Sequence, residues 1–212
     1  MTEQPNDPER ASSARFRIAF VPGVTPGKWS RIWERRVPGV PLDVAPIEES
    51  DQLVVLHEGL ADMCFVRLPV DREGLSVIPL YREIPVVVVP RDHPVAAYDE
   101  VSVADLADEH LLQDPDSVPE WRDLAAEMRD LTRGDVPATT LKDAIAAIAA
   151  DAGIVIVPRS VARLHDRVDV TYRPVTGVAD SRIGLAWLTS TTDARVETFI
   201  GIVRGRTERS SR

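Results

Sequence analysis

FRIAFVPGVTPGKWS, residues 16–30, runs from an apolar segment into a loop of prolines and glycines that ends in a lysine. Either the loop cradles a phosphate, or it is an ordinary strand-to-helix turn that opens a parallel sheet. A phosphate-binding loop needs four residues between its glycines, then Gly-Lys-Ser/Thr. Gly23 and Gly27 are separated by three, and Trp29 stands where the magnesium-binding hydroxyl would be. Pro22 and Pro26 also remove two backbone N–H donors from any such cradle. The stretch is therefore read as strand, turn and helix, with no nucleotide chemistry.

Reading outward, FRIAFV has strand composition, and Thr25 is placed to cap a helix through GKWSRIWERR. PLDVAPI forms a second strand, Ser50 or Asp51 caps QLVVLHEG, and ADMCFV forms a third. Residues 16–66 thus spell β-α-β-α-β, the order of a parallel sheet covered by helices. LSVIPLY (75–81) and IPVVVVP (84–90) then follow with no helix between them. The valine run is apolar at every position, which predicts burial on both faces. A second alternating set comes next: HLLQ, helices over PEWRDLAAEMRDL and TLKDAIAAIAADA, the strand GIVIVP and the helix RSVARLH. DVTYRPV and RIGLAWLTS are further strands, and TDARVETFIGIVRG is a closing helix.

Composition narrows the function classes. A hydrophobic content of 44% over 212 residues supports one large or two small cores. No apolar run approaches the roughly 18 residues of a membrane span, and MTEQPNDPERASSAR lacks a secretory apolar segment. That leader (1–15) and the tail (207–212) are expected to be solvated and unstructured. A formal charge of −9, with only Lys28 and Lys142 as lysines, argues against autonomous nucleic-acid binding. The single cysteine, Cys64, lies within the apolar ADMCFV, which predicts a buried, inert thiol in a reducing, cytoplasmic setting. The four histidines are scattered, and neither a Gly-x-Ser-x-Gly elbow nor a Cys-x-x-Cys pair occurs. No metal, cofactor or catalytic residue is expected, so the chain is not read as an enzyme.

In this order the segments resemble the effector-binding (substrate-binding) domain of LysR-type transcriptional regulators, over about residues 16–205. The resemblance is carried by FRIAF; by Trp33 followed by PGVPL (38–42); and by EESDQL (48–53) followed by HEGLADM (57–63). It continues through GL (74–75), PLYRE (79–83), VPRDHPVA (89–96), VSVADLAD (101–108) and AADAGIVIVPRSVA (149–162). Asp151 stands where the family usually has glycine. The resemblance implies an α/β fold similar to type II periplasmic binding proteins: two Rossmann-like lobes joined by two crossover strands, with a small-molecule cleft between them. Lobe I is assigned to 16–82 plus 190–206 and lobe II to 83–189.

Ligands of such sheets sit beyond the carboxyl ends of the strands. This selects Pro22, Gly23, Val24 and Thr25 after the first strand, Glu49 and Ser50 after the second, and Arg67 after the third. From lobe II it selects Gln113, Asp114, Thr139 and Thr140. Thr25, Ser50 and Thr140 are equally readable as helix caps. Arg67 suits a carboxylate held by two hydrogen bonds, while solvent exposure or a pairing with Glu49 is at least as strong a reading. Glu48, Glu49 and Asp114 would repel a multiply charged anion, which points to a neutral or zwitterionic effector. The resemblance further implies association as a homodimer. The family's winged helix-turn-helix has no counterpart here, so the expected role is that of a stand-alone sensor acting on transcription through a partner. A ligand-independent partner of a full-length LysR-type regulator, and an enzyme on the same fold, are the alternatives.

Overall fold

The computed structural model describes residues 15–130, 140–191 and 193–205. The chain divides into two compact units, with boundaries between Tyr81 and Arg82 and between Ser181 and Arg182. It leaves the first unit once and returns to it once.

The first unit contains the β-α-β-α-β run. Its elements are β1 (Phe16–Phe20), α1 (Gly27–Arg36), β2 (Leu42–Pro46), α2 (Val54–His57) and β3 (Met63–Leu68). It also contains β4 (Leu75–Glu83), and after the return β9 (Ser181–Leu188) and α7 (Ala194–Val203). The strand order among the described residues is β2-β1-β3-β9-β4. β1 runs parallel to β2 and β3, whereas β9 is antiparallel to β3 with Cys64 opposite Ala186. The two-residue period of a strand splits the side chains between two cores. Phe16, Ile18 and Phe65 pack with Trp33 and Phe199 on one face; Ala19, Cys64 and Val66 pack with Val55 and Leu56 on the other. Phe16 stacks on Trp33 at 4.8 Å between ring centroids, and Phe199 meets both Phe16 and Phe65 edge-on.

The second unit holds β5 (Pro85–Pro90), β6 (Val101–Ser102), β7 (Val155–Pro158) and β8 (Val170–Thr176), in the order β6-β8-β5-β7. Its helices are α3 (Pro119–Arg122), α4 (Ala126–Arg129), α5 (Leu141–Ile148) and α6 (Arg159–Leu164). β5 is antiparallel to both neighbours. Val86 to Val89 are all buried: Val87 and Val89 join Leu106 and Trp121, while Val86 and Val88 join Ile145 and Ile148. Burial on both faces, predicted from the valine run, is found.

Several local expectations are corrected. Residues 182–189 belong with the first unit and not the second, because β9 hydrogen-bonds to β3 and buries Ile183 and Leu185 in the Phe16–Phe199 core. Thr25 does not cap α1; Pro26 occupies that position with helical dihedrals, and Trp29 and Ser30 donate to its carbonyl. Ser50 and Asp51 lie in a 3₁₀ turn (Glu49–Asp51) ahead of α2, and neither caps that helix. HLLQ contributes only a bridge between Leu111 and Ile154. The helix expected over 119–131 is broken at Ala125, which is extended and fully buried, because the Ala126 N–H turns away to the Ala107 carbonyl. The leader, apart from Arg15, and the tail lie outside the described residues.

α7 is capped by Asp193, whose carboxylate accepts from the Arg195 N–H at 2.8 Å and the Arg195 Nε at 2.7 Å. The Arg195 side-chain hydrogen bond holds the Asp193 carboxyl below its ordinary range, against the opposing effect of burial. The stabilisation is thus complete above the unfolded carboxyl's value of about 4 and is lost as pH falls from there through the lower folded value. Asp193→Ala should cost about 1 kcal/mol in urea unfolding at pH 7, with the difference from wild type shrinking in acid.

Candidate functional site

In the first unit, parallel β1, β2 and β3 end side by side, so the chain turns that follow them meet. Arg67, near the end of β3, is the one polar or charged residue in the buried class among the described residues, at 8% exposure. Its Nε donates to Glu49 Oε2 at 3.0 Å, Nη2 donates to the Pro22 carbonyl at 2.8 Å, and its backbone N–H donates to Gln52 Oε1 at 2.8 Å. The turn after β1 and the turn after β2 are thereby tied to the end of β3. Burying a guanidinium is unfavourable unless its charge and donors are matched, and here both are. The alternative in which Arg67 pairs with Glu49 is the arrangement found.

The first turn is itself folded back onto the sheet. Gly23 takes φ 93, a conformation natural only to glycine, which lets the Val24 N–H reach the Val21 carbonyl at 3.3 Å and buries Val24. Thr25 and Ser50 remain exposed. The Trp29 ring stacks on Phe65 at 4.8 Å, and its Nε1 is buried without a hydrogen-bond partner.

In the second unit, Gln113 follows the Leu111 bridge and extends it with its side chain. Gln113 Oε1 accepts from the Ile156 N–H at 2.8 Å, and Nε2 donates to the Ile156 carbonyl at 3.1 Å and to Ser117 Oγ at 2.8 Å. Asp114 accepts from the Asp116 N–H at 3.0 Å and caps the turn Pro115–Ser117. Thr140 caps α5, accepting from the Asp143 N–H at 3.2 Å while donating to Asp143 Oδ2 at 2.7 Å. Thr139 lies outside the described residues. Pro22, Glu49 and Arg67 are thus joined in one network, and Gln113 and Asp114 in another through Ser117; Thr140 is committed to its helix.

The sequence reading missed Gln52, Trp29 and Ser160. Gln52 is a second anchor for the end of β3, and Ser160 Oγ, just after β7, is buried without a partner. The signal for Ser160 was its place directly after a strand and the dipeptide Pro158-Arg159, the same kind of position that selected Thr25. Cys64 is fully buried, and desolvation pushes its thiol up to about 12. Among the described residues no group of three His, Cys, Asp or Glu side chains could hold a metal ion, and no helix is long and apolar enough to cross a membrane.

Residues 9–208 match the LysR substrate binding domain. The chain belongs to that family. This LysR substrate binding domain is 38% identical, over half of its length, to a probable hydrogen peroxide-inducible genes activator of Mycobacterium avium, and covers 34% of that relative. The chain spans between about a third and just over half of the length of the curated relatives it matches. Among solved structures it is similar to the oxidized form of OxyR, with TM-score 0.71 and 23% identity over 93% of this chain and 98% of that one. It is also similar to the BenM effector binding domain with its effector benzoate, with TM-score 0.68 and 22% identity over 92% and 95% of the two chains. The shared fold is the mixed α/β, two-sheet architecture of type II periplasmic binding proteins, as the sequence resemblance implied.

Removing the anchor should separate its parts. Arg67→Met should cost about 2 kcal/mol by urea unfolding, because the Pro22 carbonyl loses its donor and the buried turn its tie. Glu49→Gln should cost less than about 1 kcal/mol, since Glu49 is 53% exposed and water replaces the pair. Equal costs would show that the guanidinium does not hold the turns.

Proposed function

We propose that this LysR substrate binding domain recognises a small effector through the strand-end groups of its two units, and that the bound state is read by an associated protein in the control of transcription. The single supporting observation is the network that Arg67 builds from Pro22, Glu49 and Gln52, which holds two turns rigidly at the ends of parallel strands. Preorganised turns at such strand ends are where open α/β sheets take ligands. Because Glu49 already balances Arg67, and Glu48 and Asp114 add negative charge, the effector is a small neutral or zwitterionic molecule. The remaining groups selected from sequence, Gly23, Val24, Thr25, Ser50, Gln113, Thr139 and Thr140, belong to the same proposal, and Ser160 is added to them. The readout partner is a second copy of the chain or a full-length LysR-type regulator in the cytoplasm.

The curated relatives' names suggest a rival reading, sensing of peroxide. Peroxide reacts with a thiolate, and the one cysteine here is buried and held protonated far above neutral pH. Effector binding is therefore favoured over thiol chemistry. A thermal-shift screen of amino acids and small carboxylates should find a compound that raises Tm, with the shift reduced in Asp114→Asn and in Ser160→Ala. In parallel, native protein treated with hydrogen peroxide should keep its intact mass, and Cys64 should react with a thiol reagent only after unfolding. No stabilising compound, or rapid oxidation of native Cys64, would overturn the proposal.

A further inference from the structure

Among the described residues, two buried side-chain polar atoms have no hydrogen-bond partner, Trp29 Nε1 and Ser160 Oγ. Each stands in the first turn of a helix that follows a strand, Trp29 in α1 after β1 and Ser160 in α6 after β7. Their chemistry differs: a hydroxyl donates or accepts, whereas an indole N–H only donates. Trp29 is therefore the orphan whose missing partner can be specified, an acceptor oxygen.

The fold supplies acceptors to other buried indoles. Trp33 Nε1 donates to the Val40 carbonyl at 2.9 Å, and Trp121 Nε1 donates to the Leu106 carbonyl at 2.8 Å. Both rings are fully buried and both donors are matched, as burial requires. Trp29 is held differently. Its ring lies flat on Phe65, with 4.8 Å between centroids and 16° between planes, and is itself only partly buried. Packing fixes the ring and leaves its donor unused, which is destabilising in the free protein.

The surroundings specify which acceptor fits. Phe65 and Arg67 are two residues apart on β3, so their side chains leave the same face of the strand. Trp29 thus packs on the face from which Arg67 reaches Pro22 and Glu49. Glu49 already balances Arg67. Lys28, in contrast, has no carboxylate partner among the described residues, and its ammonium stands over the Trp29 ring, 5.7 Å from the centroid. A donor next to a fixed positive charge favours an anionic acceptor.

We infer, resting on the effector proposal above, that Trp29 supplies the specificity-determining donor of the first unit, completed by a carboxylate oxygen of a zwitterionic effector. This narrows the neutral or zwitterionic class to zwitterions. Because Nε1 is covered while the ring lies on Phe65, binding tilts the indole and exchanges a ring stack for a charge-assisted hydrogen bond. An analogue without the carboxylate leaves the donor buried and unpaired, which is how a polar site rejects a near-isostere.

Two measurements test the assignment, the first without any ligand. Replacing Trp29 by 3-benzothienylalanine, which keeps the bicyclic shape and the stack but lacks the N–H, should leave Tm equal or higher. The same replacement at Trp33, whose N–H is bonded, should lower it. An equal loss at both positions would show that the Trp29 N–H already has a partner in the fold, and would overturn the assignment. The second measurement is isothermal titration of the full chain with the standard amino acids, each against the amine that lacks its carboxylate. An amino acid should bind, and its amine should bind at least about tenfold more weakly. Trp29→Phe should weaken the amino acid about tenfold and bring the two compounds level. An amine binding as well as its amino acid, or unchanged amino-acid affinity in Trp29→Phe, would overturn the assignment and leave the effector proposal standing. No binder in either series would overturn both.

Discussion

A guanidinium taken out of water must find its counter-charge and its acceptors inside the protein, and Arg67 finds both at the ends of the first unit's parallel strands. Glu49 supplies the charge, the Pro22 carbonyl supplies an acceptor, and Gln52 secures the strand's backbone. The partners come from two turns, Pro22 from the one after β1 and Glu49 and Gln52 from the one after β2, so one buried residue ties both to the end of β3. Ties of this kind fix a turn's position without a ligand, so a molecule that bound there would have less ordering to impose.

The second unit solves the same problem without charge. Gln113 presents an amide to Ile156 in the way a backbone peptide would, continuing a ladder that the chain itself abandons after Leu111. Because an amide is neutral, it carries no desolvation penalty of the size Arg67 must offset. The two units therefore share an architecture but not a chemistry: the first is organised by an ion pair, the second by side-chain mimicry of a strand. The far end of the second unit differs again: Glu109 faces the His93 imidazole at 3.3 Å, and Asp151 stands in the turn that closes α5.

Cys64 shows how environment decides what a residue can do. Its place on β3, opposite Ala186 and beside Val55 and Leu56, deprives a thiolate of solvent and raises the thiol to about 12. A likeness to probable activators of hydrogen peroxide-inducible genes thus coexists with a thiol that is packing material here. The chemistry follows from burial, not from kinship.

The β-α-β-α-β order of residues 16–66, the double burial of Val86–Val89 and the burial of Cys64 were legible in the linear sequence, because apolar periodicity and composition act locally. Hydrogen bonds between distant residues decided the rest. β9 joined the first unit because β3 offered it an edge; the helix over 119–131 broke because Ala107, from a preceding turn, accepted the Ala126 N–H. Pro26 displaced Thr25 as the start of α1, and Arg67 chose Glu49 from among several nearby acids. Asp92, Glu109 and Asp151, scattered along the chain, share one hollow only after the sheet has formed. Local propensity specifies what each segment is, whereas the pairing of polar groups far apart in sequence is settled only when water has been excluded between them.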